Sequence, residues 1–180
     1  MRWMWIDRIV ELIPRERLVA IKNISLAEEH LHDHFAAEAG EIDGGRPALP
    51  VMPASLIIEG CAQSAGILVG HAEAFREKVV LAKIGSAEIA RDAGPGSTLR
   101  YTATIVRLDA QGAMTTVAID LWEHGKLGAN SNSQWQRIGQ VELMFSHLDQ
   151  NLAGTKFPEH NFVFGESFKT LLRTSGVGVA

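Results

Sequence analysis

The segment at residues 54–75 restricts the fold more than any other, because it is apolar almost all round and its only strong helix breakers are Gly60, Gly66 and Gly70. Pro53 stands just before it, at the position where the first residue of a helix is expected. A helix that is apolar all round must be enclosed by the rest of the chain. We therefore predict a buried helix around which the remaining elements are arranged.

Polar residues on this helix follow a regular spacing. Ser55, Glu59 and Gln63 recur every fourth residue, and Gly66 continues the row. Side chains at this spacing share one face of a helix. An enclosed helix with one polar stripe is expected to present that stripe to a site, and Glu59 is the acid within it.

After the helix the sequence changes to the alternating pattern of strands, with frequent Val, Ile and Thr and with turn signals between the segments. The predicted strands are 17–26, 79–90, 98–109, 113–123 and 140–148, and the predicted loops are 36–49 and 127–139. An antiparallel sheet wrapped around one long central helix would bury the apolar face of each. The sequence therefore predicts the α+β class.

The length of 180 residues, 46% apolar and 21% charged, is typical of one globular domain. We assign the domain to residues 1–148 and treat 149–180 as a C-terminal extension, in which 166–173 form a short helix. The net charge of −4 gives no electrostatic reason to expect nucleic acid as the main partner.

A single cysteine, Cys61, excludes an internal disulfide and favours a reducing, cytoplasmic location. Residues 1–7 lack the cationic region and apolar run of a signal peptide. The apolar stretch 54–72 is interrupted by polar residues, so no membrane span is expected. Cys61 faces away from the polar stripe and is expected in the core, and Trp3 and Trp5 are expected to be packing or interface groups.

Two motifs give the chain a family resemblance. Asp33-His34-Phe35 and PVMPASLIIEGCAQSAG at 50–66 resemble the signature of the β-hydroxyacyl-acyl-carrier-protein dehydratases, which are hot-dog-fold enzymes of fatty-acid and polyketide synthesis. Further segments resemble the family's first strand region, its turn and its last strand; they are 7–11, 19–22, 93–96 and 141–145. The resemblance covers roughly residues 5–148.

The resemblance implies a hot-dog homodimer, or a trimer of such dimers, that dehydrates (3R)-3-hydroxyacyl thioesters to trans-2-enoyl thioesters. The acyl group would be carried by acyl carrier protein or by coenzyme A. His34 is implied as the catalytic base and Glu59 as its acidic partner, contributed by different subunits. The implied substrate-binding positions are Phe35, Met52, Ala54, Ser55 and Gln63. No metal or redox cofactor is implied, because the pantetheine arm belongs to the substrate.

Dehydration of a 3-hydroxyacyl thioester needs both a base and an acid. A neutral imidazole takes a weakly acidic C2 proton near neutral pH, which suits His34 as the base. The hydroxyl leaving C3 needs a proton, and an apolar site favours the protonated form of a carboxyl group, which suits Glu59 as the acid. Free N–H groups at the helix start, that of Ala54 first, would stabilise the thioester oxygen. Gln63, one turn along, would orient Glu59 or line the pocket.

The chain departs from the family pattern in three ways. His34 and Glu59 are 25 positions apart (59 − 34), more than the family's usual interval, and the extra residues fall in 36–49. Ala36 stands where the family has proline, and Ala54 stands where it has glycine. Alanine keeps the N–H but lacks the conformational range of glycine, so the oxyanion contact depends on the backbone at Ala54.

Other interpretations stay open at this stage. His30, His32 and His34 would share a face if the segment were a strand, which is the basis of a metal-site hypothesis. A hot-dog acyl thioesterase also carries an acid on its central helix but typically lacks the His-Phe motif. A third hypothesis is that the protein binds acyl thioesters, or scaffolds a biosynthetic complex, without turnover.

Arginines on or next to the predicted strands could contact an acidic carrier protein or a coenzyme phosphate. They are Arg91, Arg100 and Arg107. Alternatively, these residues lie on strand faces that are exposed to solvent and have no binding role.

Overall fold

One sheet of six antiparallel strands packs against a single long helix in the computed structural model, which describes residues 3–39, 45–123, 134–152 and 154–178. The strands are β1 (Arg8–Ile13), β2 (Arg17–Asn23), β3 (Val79–Ile89), β4 (Ser97–Asp109), β5 (Gly112–Glu123) and β6 (Gln136–His147). The helices are α1 (Glu29–Asp33), α2 (Ala54–Ala72), α3 (Leu148–Asn151) and α4 (Glu166–Thr174). The strand order across the sheet is β1-β2-β4-β5-β6-β3.

Helix α2 packs against five strands, β2 to β6. Its central residues are buried, among them Cys61, Ala65 and Leu68. The predicted fold, an antiparallel sheet around one long helix, is therefore confirmed. Cys61 is a free core residue as expected, and burial raises the pKa of its thiol far above the usual range.

The helix is shorter than the predicted 54–75. Pro53 is the residue before the first helical position and has an extended backbone, so α2 begins at Ala54. At the other end, Ala74 and Phe75 have φ values of 51° and 55°, which no right-handed helix contains. The N–H of Phe75 turns back to the carbonyl of Gly70 at 2.7 Å, which closes the last turn.

The helix and the sheet approach each other closely at Gly60. A methyl group at this position would lie 2.6 Å from the ring and hydroxyl of Tyr101, which is fully buried on β4. Burial raises the pKa of Tyr101 well above its usual range. The absent side chain of Gly60 thus lets a large aromatic ring fill the space between helix and sheet.

The predicted loop at 127–139 is wrong at its C-terminal end, because β6 begins at Gln136. The polar composition concealed this strand, whose Ile138 is buried while its neighbours face outward. Gly139 pairs with both β3 and β5, and a side chain there would meet the carbonyl of Glu88 at 2.2 Å. The remaining part of that loop, 127–133, lies outside the described residues.

The predicted strand at 17–26 is also too long, because β2 ends at Asn23. After Ile24 the chain turns, with the N–H of Glu28 bonded to the carbonyl of Ser25, and enters α1, which the sequence did not predict. Buried Leu31 is the only apolar residue of this five-residue helix. Such a short element carries no helical period in its sequence.

The loop at 36–49 is closed at its base. The N–H of Leu49 donates to the carbonyl of Phe35 at 3.0 Å, and Glu38 and Arg46 exchange two backbone hydrogen bonds of 2.9 Å. These hydrogen bonds hold the two ends of the loop together. Residues 40–44 lie outside the described part of the chain.

The C-terminal segment packs into the same core as the sheet. Helix α4 corresponds to the helix predicted at 166–173 and extends to Thr174. Its buried residues Phe168, Leu171 and Leu172 belong to the main hydrophobic cluster, as does Phe164 just before it. The extension thus contributes apolar surface to the domain at 1–148.

Replacing Gly60 with alanine should lower the free energy of unfolding by about 1–3 kcal/mol, because the added methyl group must displace the Tyr101 ring. Urea denaturation followed by circular dichroism measures this change. Gly66→Ala is the matched control in the same helix, since its methyl group would lie 3.4 Å from Phe145. Equal stability of the two variants would contradict the close approach at Gly60.

Candidate active site

An apolar cavity of about 240 Å³ lies beside Glu59. Its lining comes from α2, β3, β6 and the C-terminal segment; the residues are Glu59, Ala62, Gln63, Gly66, Ile67, Val79, Val80, Leu81, Phe145, Val163, Phe164 and Phe168. Glu59 is the one ionisable side chain among these described lining residues. A single carboxyl group at the wall of an apolar cavity is a typical arrangement of a catalytic acid or base.

Gln63 fixes both Glu59 and the N-terminal segment. Its side-chain nitrogen donates to Glu59 Oε1 and to the carbonyl of Trp3, each at 3.1 Å. Its side-chain oxygen accepts the N–H of Trp5 at 2.8 Å. Gln63 itself is buried, so these bonds satisfy an amide that has no access to bulk water. The Glu59 carboxyl group is therefore held by a partner that is itself fixed.

The start of α2 lies at the surface. Ala54 and Ser55 are exposed, and no side chain of the described residues caps this helix end. The first N–H groups of a helix have no acceptor within the helix, so these groups are free for a ligand. Ala54 has a helical backbone and is absent from the described residues with positive φ, so alanine is unstrained where the family has glycine.

Met52 is buried just before the helix, and its N–H donates to the carbonyl of Ala93 at 2.8 Å. This bond ties the helix start to the segment that precedes β4. Met52, Ala54 and Ser55 are not among the described residues that line the cavity beside Glu59. Of the predicted site residues, the structure brings together only Glu59 and Gln63 in that cavity.

His34 and Phe35 follow α1 and are exposed. Their rings are in edge-to-face contact with centroids 4.4 Å apart. Neither is among the described residues that line the Glu59 cavity. Within one chain, the imidazole of His34 is therefore exposed at the surface, whereas the carboxyl group of Glu59 lies at its cavity.

A second cavity, of about 400 Å³, lies between the N-terminal segment and α1. Trp3, Trp5, His30 and Leu56 are among its lining residues. Trp5 is in edge-to-face contact with Trp3 at 6.4 Å and with His30 at 5.1 Å. Burial lowers the pKa of His30, although the charge of Glu28 opposes this shift. The lowered pKa favours the neutral form of the His30 ring.

The strand spacing on which the metal hypothesis depends is wrong. His30 and His32 lie in helix α1, where residues two apart point to different sides. His32 Nε2 is bonded to the carbonyl of Leu26 at 2.5 Å. In the described part of the chain, no group of three or more His, Cys, Asp or Glu side chains could hold a metal ion.

The three arginines considered for carrier binding each pair with an acid of the same chain. Arg91 pairs with Glu123 at 2.6 Å, and Arg107 pairs with Asp109 at 2.8 Å. The best-developed group surrounds Asp120, which is buried between Arg100 and Arg137. Burial acts to raise the pKa of Asp120, but the bonds and charges of the two arginines outweigh it and hold the pKa below its usual value.

No site role was predicted from the sequence for the three cavity residues of the C-terminal segment, which are Val163, Phe164 and Phe168. The sequence did contain a signal for them, since aromatic residues precede α4 and apolar residues recur within it at helical spacing. That spacing indicates a helix with one buried face. It does not indicate which part of the molecule the face contacts.

A model of the FabA-like domain matches residues 2–130 of the chain. The chain is 29% identical over 148 residues to the 3-hydroxyacyl-acyl-carrier-protein dehydratase FabZ of Listeria monocytogenes, covering 82% of this chain and 87% of that protein. It is 30% identical over 131 residues to FabZ of Polynucleobacter asymbioticus, covering 72% and 79%. The residues matched by the FabA-like model span the His-Phe motif and the start of the central helix.

Solved structures with the same fold are more distant in sequence. A Streptococcus mutans protein bound to acetyl CoA aligns with a TM-score of 0.55 at 11% identity, covering 81% of this chain and 91% of that one. An acyl-CoA hydrolase variant of Staphylococcus aureus aligns with a TM-score of 0.51 at 16% identity, covering 89% and 82%. At these identities the likeness shows the hot-dog fold alone.

No helix in the described part of the chain has the length and apolar character needed to cross a membrane.

Replacing Gln63 with leucine should lower the free energy of unfolding by about 1–3 kcal/mol, because the Trp5 N–H and the Trp3 carbonyl lose their partner. Hydrogen–deuterium exchange at the Trp5 amide should become faster in the same variant. Gln140→Leu is the matched control, since Gln140 is exposed on β6. Unchanged exchange at Trp5 would contradict the role of Gln63.

Proposed function

The chain belongs to the FabA-like family, and on that basis we propose that it dehydrates (3R)-3-hydroxyacyl thioesters to trans-2-enoyl thioesters. The acyl group is carried by acyl carrier protein or coenzyme A, and the reaction serves fatty-acid or polyketide synthesis in the cytoplasm. Relatives with this activity in their names are 29–30% identical to the chain. No redox cofactor takes part, because the reaction only removes water.

The observation that carries the proposal is the position of Glu59. Its carboxyl group is half-buried at the wall of an apolar cavity, fixed through Gln63. The carboxyl group thus lies where an acyl chain and a polar reactive group can meet. A surface ion pair would instead place the carboxylate beside a cation in water.

In the proposed reaction His34 Nε2 or Nδ1 takes the proton from C2 of the acyl group. Glu59 gives a proton to the hydroxyl group on C3, the C3–O bond breaks, and water leaves as the double bond forms. The free N–H groups at Ala54 and Ser55 stabilise the negative charge on the thioester oxygen. Transfer of a proton from His34 to Glu59 through solvent restores both groups.

The proposed site is shared between two copies of the chain. The described lining residues of the cavity beside Glu59 do not include His34, which supports a site in which a second copy supplies the imidazole. Strand β3 offers the surface for such pairing, because it lies at the edge of the sheet and its residues from Leu81 to Glu88 are exposed. An edge strand with exposed Leu81 and Ile84 is a natural site for pairing with another strand.

His34→Ala and Glu59→Gln should each reduce dehydration of 3-hydroxybutyryl thioesters by about 10²–10⁴-fold, because each removes one proton-transfer group. The assay follows enoyl absorbance with the acyl group on coenzyme A and on acyl carrier protein. His160→Ala, an exposed histidine of the C-terminal segment, is the matched control and should keep wild-type activity.

Full activity in His34→Ala would sink the assignment. Release of free thiol without enoyl product, measured with a thiol-trapping reagent, would identify a thioesterase instead. Binding of acyl thioesters without either product, unchanged in Glu59→Gln, would identify a binding or scaffold protein.

Ile84→Lys should convert the dimer into monomers, because a charged side chain on the exposed edge of β3 opposes pairing with a second sheet. Sedimentation velocity gives the mass, and the monomer should lack dehydratase activity since each site is incomplete. Val106→Lys, on an exposed position of β4, is the control and should remain dimeric and active. An active monomer would refute the shared site.

A further inference from the structure

The cavity beside Glu59 follows one face of α2. Glu59, Ala62, Gln63, Gly66 and Ile67 recur at helical spacing along its wall. Polar groups occur at one end only, at Glu59 and Gln63, and the remaining described lining residues are apolar or glycine. An acyl chain whose thioester end lies at Glu59 would therefore run along the helix toward its C-terminal half.

The same helix face is blocked one turn beyond Gly66. Gly70 continues the row, and a methyl group there would lie 2.4 Å from the Phe164 ring. Phe164 thus occupies the space that a side chain at position 70 would fill. The helix advances about 1.5 Å per residue, so Glu59 and Gly70, eleven positions apart (70 − 59), are separated by about 16 Å along the axis.

The segment that supplies Phe164 is held firmly against the domain. Asn161 Nδ2 donates to the carbonyls of Phe75 and Glu77, each at 2.9 Å, and Asn161 Oδ1 accepts the N–H of Val163 at 3.1 Å. Beyond α4, Ser175 Oγ accepts the N–H of Ile9 from β1 at 3.0 Å. The cavity wall formed by this segment is therefore fixed at both ends.

Aromatic stacking gives the wall further rigidity. The Phe164 ring packs edge-to-face on Phe75, with centroids 4.9 Å apart, and on Phe168, with centroids 5.7 Å apart. Phe164 and Phe168 are both buried, and both line the cavity. These residues lie outside the part of the chain that the FabA-like model matches, residues 2–130.

From this arrangement we infer that the C-terminal segment closes the acyl cavity and restricts the enzyme to short 3-hydroxyacyl thioesters. The inference rests on the proposed function for the identity of the reacting group. A cavity of about 150 Å³ holds the six carbons of benzene, so the space of about 240 Å³ beside Glu59 has room for about ten acyl carbons. Val163, Phe164 and Phe168 are the specificity-determining residues of this closure.

The experiment compares kcat/KM for 3-hydroxyacyl thioesters of four, eight and fourteen carbons. Beyond the limit of the cavity, each added methylene should lower kcat/KM by about tenfold or more, because an apolar pocket discriminates one methylene by about 10–200-fold. Phe168→Leu and Val163→Ala remove bulk from the wall and should raise the ratio of fourteen-carbon to four-carbon activity at least tenfold.

Gly66→Ala should make the cavity smaller, since its methyl group would project beside Phe145. It should lower the ratio of eight-carbon to four-carbon activity. Phe162→Ala is the matched control, because Phe162 lies in the same segment with its side chain exposed. Its chain-length profile should equal that of the wild type. Thermal unfolding of each variant establishes that a change in profile comes from a folded protein.

A wild-type enzyme that turns over all three lengths equally would overturn the inference while leaving the proposed function intact. A profile that Phe168→Leu, Val163→Ala and Gly66→Ala all leave unchanged would overturn it as well. If no length is turned over, calorimetry with unreactive acyl-coenzyme A thioethers separates the two ideas. If the thioethers bind only up to a limiting chain length, the result supports the closed cavity and refutes only dehydration. If all chain lengths bind equally, or none binds, the result refutes the closed cavity as well.

Discussion

The burial of α2 within the sheet is the constraint on which the rest of the structure depends. A polar side chain that is buried on this helix needs a partner within the protein, since an unsatisfied buried group costs about 1–3 kcal/mol. Ser64 donates to the helix carbonyl of Gly60 at 2.8 Å. Gln63 instead bonds to the backbone of the N-terminal segment and to Glu59. Satisfying Gln63 therefore also fixes the candidate acid and the chain that precedes β1.

The same burial explains the uneven distribution of apolar surface. Five strands cover α2, and β3 at the edge keeps a long row of exposed residues from Leu81 to Glu88. The cavity beside Glu59 includes Val80 and Leu81 of this strand, so it reaches the edge at which we propose that a second chain pairs. The exposed edge strand and the apolar cavity with a single acid occur together, and the proposed dimer with a shared site would account for both. A monomeric enzyme would need His34 and Glu59 in one cavity.

The C-terminal segment changes what this fold can accommodate. Phe164 fits against the helix only because position 70 is a glycine, and the two positions are 94 residues apart (164 − 70). Helix α4 then uses Leu171 and Leu172 to anchor the segment in the core. A family site built from the central helix thus acquires a wall from a part of the chain that lies beyond the family match. In our proposal, the length of the cavity is set there, away from the reacting groups.

The sequence by itself determined the central helix, the antiparallel sheet and the family, because apolar periodicity and the motifs around His34 and Glu59 are local patterns. It also determined that Gln63 shares a helix face with Glu59, since a spacing of four residues is enough for that. Local patterns failed where composition concealed an element, as in β6 at Gln136 and in α1. Only the tertiary structure decided that His34 lies outside the cavity of Glu59 and that Phe164 lies on Gly70. Those contacts join residues far apart in the chain, and packing between distant segments leaves no periodic signal in the sequence.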